Sequence, residues 1–450
     1  MSSIIYPITN FKKTEQLNLA RGEGVYVYDN EGTQYLEGMA GLWCTALGYG
    51  NQELIDASTE QMGQLSYSHM FSGKTHPIGM QLSEKLAEMV PVENARISFG
   101  NSGSDANDTL IKLLRYYFDA IGKPEKYKII ARDRAYHGVT VASASLTGLA
   151  VNHAHFHLPF DAIGVLRADA PHYYHGALPG ESEDEFVDRI TDNLEKMIIE
   201  EGADTIAAFI AEPVTGASGV IVPPAGYYEK TQALLKQYDI LFWADEVITG
   251  FGRTGNDFGS TTMNINKPDM MTLAKQLSSA YVPISASIIR GDMYEAMIEN
   301  SAKAGVFGHG YTYSGHPVAS AVALKTLEIY QRDELFAKAA VLGEYMQQKM
   351  QAFKDHPMVG EVRGKGLIGA IEIVANKARN EAFKDGSVGG FAVQACQNEG
   401  LIVRVVAGSS IAFCPPLIIT EAQIDEMFEK FSRALDATMD FAAQQNQLVA

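Results

Sequence analysis

Residues 271–283 read "MTLAKQLSSAYVP", an apolar run that stops on a single lysine, Lys275. A lysine at the end of an apolar segment ordinarily snorkels, keeping its stem buried and its amine in water. The neighbouring segments decide whether that holds here. Similar strand-length runs stand at "YKIIARD" (127–133), "TIAAFIAEP" (205–213), "ILFWADE" (240–246) and "PISASIIR" (283–290). Between them lie "EFVDRITDNLEKMIIEEG" and "GYYEKTQALLKQYD", whose apolar residues recur at helical spacing. Apolar strands alternating with amphipathic helices imply βαβ units and a mostly parallel sheet buried on both faces. The fold class is therefore α/β.

In an open parallel sheet, ligands bind beyond the carboxyl ends of the strands. At that edge one run ends on Glu212, the next on Asp245 and Glu246, and "MMTLAK" on Lys275. One charged strand end would mean little, but successive ends converge on one crevice. That convergence favours an amine aimed into a site over one reaching for solvent.

A Gly/Ser turn, "SFGNSGSDAND" (98–108), feeds the helical pattern "DANDTLIKLLRYYFDA". A turn of this kind presents free N–H groups and a positive dipole end to an anion. It also fits an ordinary capped helix with Ser102 or Ser104 as N-cap. It is no Walker A loop, because no GK[ST] follows. The GxGxxG of Gly364, Gly366 and Gly369 is followed by the strand-like "AIEIV" rather than a helix, which argues against a dinucleotide site. His153, His155 and His157 of "NHAHFH" would share one strand face, but no acidic or cysteine ligand stands at helpful spacing, so they read as a polar loop and no metal is expected.

The 450-residue chain is 46% hydrophobic and 20% charged, an ordinary globular composition with ample material for a core. Its net charge of −18 argues against nucleic-acid and anionic-membrane partners. Cys44, Cys396 and Cys414 are far apart and form no CxxC pair, so neither a disulfide framework nor a structural zinc is indicated. No segment has the roughly 18 apolar residues of a membrane span, and a cytoplasmic location is expected. Residues 23–36 read as a hairpin turning at "DNEG", residues 318–355 as mainly helical, 362–374 and 400–406 as strands, and 421–441 as a long amphipathic helix. The expected organisation is residues 1–60 as the first part of a small α+β domain, 61–315 as a large domain, and 316–450 as the remainder of the small one.

An amine nucleophile, a carboxylate and an anion cradle around one crevice match the needs of pyridoxal 5′-phosphate. The lysine forms a Schiff base with the aldehyde, the carboxylate pairs with the pyridinium nitrogen, and the helix N-terminus holds the phosphate. A carboxylate–pyridinium pair about 4 Å apart has a gross Coulomb energy of about 4 kcal/mol at an effective dielectric near 20. That is enough to bias the ring nitrogen toward its charged form.

The motifs "GLWCTALGYG" (41–50), "NSGSDAND" (101–108), "AYHGVT" (135–140), "AEPVTGASGVIVPP" (211–224), "ADEVITGFGRTG" (244–255), "TLAK" (272–275), "GHGYTYSGHP" (308–317) and "CPPLIIT" (414–420) span nearly the whole chain. With the 30 residues separating Asp245 from Lys275, they resemble the class III (ω-) aminotransferases of fold type I, most closely the amine:pyruvate and ω-amino-acid:pyruvate group. The resemblance implies a large domain with a mostly parallel sheet flanked by helices and a ping-pong transfer from an amine to a keto acid, pyruvate in this group. It implies Lys275 as Schiff-base lysine and proton shuttle, and Asp245 as partner of the pyridinium. Val247 would press on one ring face and Tyr136 stack on the other. Ser102, Gly103 and Ser104 would hold the phosphate, with His137 and Glu212 also in the cofactor site. Leu42, Trp43, Phe71, Ala217 and Arg404 would line the substrate pocket, Arg404 gripping a carboxylate. Thr312 and Tyr311 would reach in from a neighbouring subunit, so a homodimer or a dimer of dimers with shared active sites is implied. A 2-oxoglutarate-dependent enzyme or an aminomutase on the same scaffold is an alternative reading, and a non-catalytic cofactor-binding regulator is another. The chain departs from the common pattern at Asp105, Ser218, Gln276 and Ala280; the last two flank Lys275 and bear on the pocket's shape.

Overall fold

The computed structural model describes residues 3–12 and 16–448. The chain opens with an antiparallel meander of β1 (Leu19–Glu23), β2 (Tyr26–Asp29) and β3 (Gln34–Glu37). The expected hairpin is β2–β3. Its turn is tied by Asp29, whose Oδ1 accepts the N–H of Glu31 and of Thr33 at 2.9 Å each, a local bond that suits Asp to turns.

Seven strands then build the central sheet: β4 (Arg96–Gly100), β5 (Lys128–Arg132), β6 (Val165–Ala168), β7 (Ile206–Ala211), β8 (Leu241–Asp245), β9 (Met270–Leu273) and β10 (Ser285–Ile289). Their order is β4-β10-β9-β8-β7-β5-β6. Only the pairings made by β10 are antiparallel. Every residue of β7, β8, β9 and β10 is buried. This is why these strands read as unbroken apolar runs, with no alternation. All the parallel strands, β4 included, end at the same edge.

The remaining strands are β11 (Val359–Lys365), β12 (Ile368–Ile373), β13 (Leu401–Ile402), β14 (Arg404–Val406) and β15 (Ser410–Phe413). β11 and β12 form a hairpin that turns at Gly366, whose φ of +60° favours glycine. The GxGxxG glycines therefore serve a β-hairpin, Gly366 in its turn and Gly364 paired with Gly369 across its strands. The segment "GLIVRVV", expected as one strand, is broken at Val403. Leu401–Ile402 pairs in parallel with β3, and Arg404–Val406 pairs antiparallel with β15. The chain crosses from one sheet to another there, which periodicity alone does not reveal.

The terminal helix Glu421–Gln444 starts at a capping box between Thr420 and Gln423. Its inner face meets an aromatic cluster in which Phe431 lies 5.1 Å from Phe353 and 5.0 Å from Phe413, centroid to centroid. Phe431 is 1% exposed. Truncating a buried aromatic typically costs about 3–5 kcal/mol through lost burial and residual cavity. Phe431→Ala should lower the unfolding free energy by about that amount in denaturant titration; a loss below about 1 kcal/mol would mean the helix is not held by this cluster.

Candidate active site

β8 ends on Asp245, which is 3% exposed. Its Oδ2 accepts a hydrogen bond from Nδ1 of His137 at 2.7 Å and from Nδ2 of Asn107 at 3.1 Å, and its Oδ1 accepts the N–H of Val247 at 3.2 Å. Asn107 is oriented in turn. Its Nδ2 also donates to the carbonyl of His137 (2.6 Å), and its Oδ1 accepts the hydroxyl of Thr272 (2.6 Å). Thr272 accepts Nε1–H of Trp243 at 2.8 Å. A flip of the Asn107 amide would turn its oxygen toward the His137 carbonyl and the Asp245 carboxylate, losing two bonds. A carboxylate offers about four lone-pair positions. Three are filled here from behind and beside, leaving Oδ1 able to accept one more.

The helix Gly103–Ala120 follows β4 through the Gly/Ser turn. Ser102 is its N-cap: Oγ accepts the N–H of Asp105 at 3.2 Å, and the Asp105 carboxylate accepts the N–H of Ser102 at 3.1 Å. Asp105, the commoner glutamate's shorter counterpart, thus still closes the capping box. The N–H groups of Gly103 and Ser104 have no carbonyl to reach within the helix. A Cβ at Gly103 would stand 2.9 Å from Cγ2 of Val247. The valine therefore packs directly on the glycine, which joins the anion cradle to the carboxylate.

Lys275 follows β9 in a short 3₁₀ turn, Lys275–Ser278. Its φ is +44°, and Ser279 and Ala280 have φ of +49° and +63°. Left-handed conformations cost a non-glycine residue of order 1 kcal/mol each, so Ala280 keeps the turn that glycine would adopt freely, at some strain. Burial pushes the Lys275 amine below the ordinary lysine range, against the pull of Asp245 and Glu212. Nζ lies 5.8 Å from the ring centroid of Trp43. Gln276 is 1% exposed, its amide bonded to Ile248, Gly250 and Arg253.

Glu212 is 3% exposed; its Oε1 accepts the N–H of Tyr136 (2.9 Å) and its Oε2 that of Gly216 (2.8 Å). It thus ties the Tyr136 segment to the loop carrying Ala217. Glu246, the other carboxylate at this edge, is instead consumed by Thr249, Gly259 and Ser260. Burial pushes the Tyr136 phenol up, with the charge of Arg404 pulling the other way. The Arg404 side chain makes no hydrogen bond or ion pair among the described residues. Trp43 is 3% exposed, while Leu42 and Phe71 are 54% and 43% exposed. The Tyr311 hydroxyl donates to the carbonyl of Asp105 in its own chain (3.0 Å), and the carbonyl of Thr312 accepts the Tyr67 hydroxyl (2.9 Å).

His137 lies behind Asp245 with its side chain fully buried, reaching the crevice only through that carboxylate. Asn107 and Thr272 were not singled out from sequence. The available signal was one polar residue on an otherwise apolar helix face, one turn after Gly103, and one threonine inside "MMTL". His155 and His157 have φ of +67° and +50°, so the "NHAHFH" histidines lie in turns, not on one strand face. The cluster of His172, His175 and Glu372 is spaced to hold a cation. Arg363 already fills that role, binding Glu372 at 2.7 Å together with Glu361. Against the cost of burial, His175 and Arg363 hold the Glu372 carboxyl down to about 2.

The residues present fit pyridoxal phosphate. The cradle offers two N–H groups and no side chain at Gly103, Asp245 keeps one acceptor position, and Lys275 supplies a desolvated amine. The family model for class-III aminotransferases matches residues 9–435. Gamma-aminobutyrate transaminase 1, mitochondrial, of Oryza sativa subsp. japonica is 48% identical over 430 residues, 95% of this chain and 83% of the relative. The tomato (Solanum lycopersicum) gamma aminobutyrate transaminase 1 is 47% identical over 426 residues, 94% of this chain and 82% of the relative. The crystal structure of the Pseudomonas jessenii ω-transaminase in complex with PMP superposes with a TM-score of 0.95 at 48% identity, covering 98% of this chain and 97% of that one. With these likenesses added to the crevice geometry, the chain belongs to the pyridoxal-phosphate-dependent class-III aminotransferases of fold type I.

Proposed function

We propose that this enzyme moves the amino group of a primary amine or ω-amino acid to a small keto acid, with pyruvate as the acceptor. The observation that carries the reading is Arg404. Among the described residues it is the one arginine with no hydrogen bond or ion pair, and it stands beside Tyr136 at the crevice. A guanidinium left free in a half-buried place suits a bidentate carboxylate. One free arginine matches one carboxylate, which favours pyruvate over a dicarboxylic acceptor such as 2-oxoglutarate. The names of the plant relatives point to γ-aminobutyrate among possible donors. Because donor and acceptor visit in turn, one arginine can serve both.

The bound cofactor supplies the carbonyl that captures the amine and the ring that takes up its electrons. The chain's own residues do the rest. Lys275 carries the proton between two carbon positions, its desolvated amine being free to act as a base. Gly103 and Ser104 hold the phosphate through their N–H groups. Asp245 accepts from the ring nitrogen, Val247 and Tyr136 confine the ring, and Trp43 closes the crevice over Nζ of Lys275.

We take the active unit to be a homodimer, with Thr312 completing the neighbour's cradle. Supporting this, Tyr67, Phe71 and Tyr313 form an apolar surface, 40%, 43% and 58% exposed. Gly310 packs against Phe71, and the rings of Tyr67 and Tyr313 stand 6.0 Å apart. Contiguous exposed aromatics of this kind ordinarily mark an interface.

Arg404→Ala should lower kcat/KM for pyruvate by about 10–100-fold, the worth of a charge-assisted pair at about 1.5–3 kcal/mol, while an uncharged aldehyde acceptor loses less than about threefold. Equal losses for both would make Arg404 structural. Lys275→Ala should remove the borohydride-reducible adduct with the cofactor, and persistence of that adduct would contradict the assignment. The depressed amine also has a sign. The unfolded lysine, at about 10.4, binds a proton that the folded one has shed, so between the two values the Lys275 contribution to stability rises with pH. The rate of adduct formation with added cofactor should accordingly reach its plateau at lower pH than for an ordinary lysine; a plateau only above the ordinary lysine value would contradict the burial. Tyr313→Glu should yield a monomer in sedimentation with weakened cofactor retention, whereas a wild-type-like dimer would place the interface elsewhere.

A further inference from the structure

The side chain of Gln276, the residue after Lys275, is fully engaged. Nε2 donates to the carbonyls of Ile248 and Gly250, each at 2.9 Å, and Oε1 accepts Nη2 of Arg253 at 3.2 Å. Its own carbonyl accepts the Tyr330 hydroxyl at 2.7 Å. Arg253 is fully buried and has no carboxylate partner among the described residues; its Nη1 donates to the carbonyls of Leu367 and Pro415 at 2.9 and 2.6 Å.

Both anchors lead to Trp43. The side chain of Ile248 packs in one cluster with Trp43 and with Cys414, the neighbour of Pro415. Trp43 and Ile248 converge on Gly216, where a Cβ would stand 2.2 Å from Cζ3 of the tryptophan and 2.5 Å from Cδ1 of the isoleucine. The Trp43 ring returns to Lys275, 5.8 Å from Nζ. The contacts close a circuit: lysine, glutamine, isoleucine, tryptophan, lysine. No part of it can move without breaking a buried hydrogen bond or a packed contact. A glycine at 276 would leave two carbonyls and a guanidinium N–H without these partners, and the Ile248 turn without its tether.

We propose that Gln276 is a positioning residue for donor specificity: its buried amide sets the distance between the Trp43 wall of the pocket and the Lys275 amine. This rests on the transaminase reading above. Loss of the tether lets Ile248 and the wall recede, which admits bulkier amines at the expense of the fit to slender ones.

The test compares wild type with Gln276→Met, of similar length but without hydrogen bonds, as holoenzymes with n-propylamine and 1-phenylethylamine as donors. The ratio of kcat/KM, bulky over slender, should rise at least tenfold. Equal losses for both donors, with the ratio within twofold of wild type, would reduce Gln276 to a structural role and overturn the proposal. A second readout does not depend on turnover. The chain holds two tryptophans, Trp43 and Trp243, so in a Trp243→Phe background the emission belongs to Trp43. Gln276→Met should raise its quenching by acrylamide at least twofold, and unchanged quenching would overturn the proposal. If the methionine variant fails to fold, Gln276→Glu replaces it. Glutamate can still bind Arg253 but cannot donate to Ile248 and Gly250, and the same shifts are expected. Should wild type turn over neither of these amines nor γ-aminobutyrate or β-alanine, the transaminase reading falls, while the quenching comparison still decides the tether.

Discussion

Everything in the crevice is arranged around a buried carboxylate that has been given a direction. Asp245 is surrounded by N–H donors from a helix, a loop and its own turn, and they come from His137, Asn107 and Val247. A buried acceptor with such partners is worth its burial, whereas one without them would cost several kcal/mol. The geometry also limits what the carboxylate can do, since it leaves one acceptor position on Oδ1 unfilled by the surrounding donors. The hydrogen-bond chain from Trp243 through Thr272 to Asn107 keeps that choice fixed, and it ties β8 to β9 and to the cradle helix. The strand carrying Asp245 and the strand leading to Lys275 are therefore registered by the same bonds that orient the Asp245 carboxylate.

The cradle and the lysine are set by different physics. At the cradle, Gly103 is needed because Val247 packs where a side chain would be. Around Lys275 the backbone runs through left-handed residues, and the strain is borne by surrounding bonds. The Ser279 hydroxyl oxygen accepts the N–H of Leu47, and Gln276 ties the turn beside Asp245. A strained turn held by buried hydrogen bonds keeps the amine in place without lengthening the chain toward solvent.

Much of this was legible in the sequence, for reasons that can be named. β7, β8 and β9 are buried on both faces, so they stand out as apolar runs, and their charged ends mark the sheet's functional edge. Lys275, Asp245 and Glu212 were found in that way. The Gly/Ser turn was legible because capping chemistry is local. The long-range contacts were not. Asn107 looks like any helical asparagine until β9 brings Thr272 against it, and Gln276 looked like a disturbance until its amide met carbonyls some 26 residues earlier. β6 has only four residues, and β4 was hidden in a segment read for its glycines. The break at Val403 depends on two sheets competing for one strand. The change of sheet falls immediately before Arg404, whose guanidinium is unpaired among the described residues.

The central claim is that Asp245, as positioned by Asn107 and His137, holds a proton on the cofactor's ring nitrogen. Reconstituting the enzyme with ¹⁵N-ring-labelled pyridoxal phosphate and recording the ¹⁵N chemical shift tests it directly. The account predicts the shift of a protonated pyridinium in the wild-type enzyme at neutral pH, and a move toward the unprotonated value in Asn107→Leu. An unprotonated ring nitrogen in the wild type would contradict it.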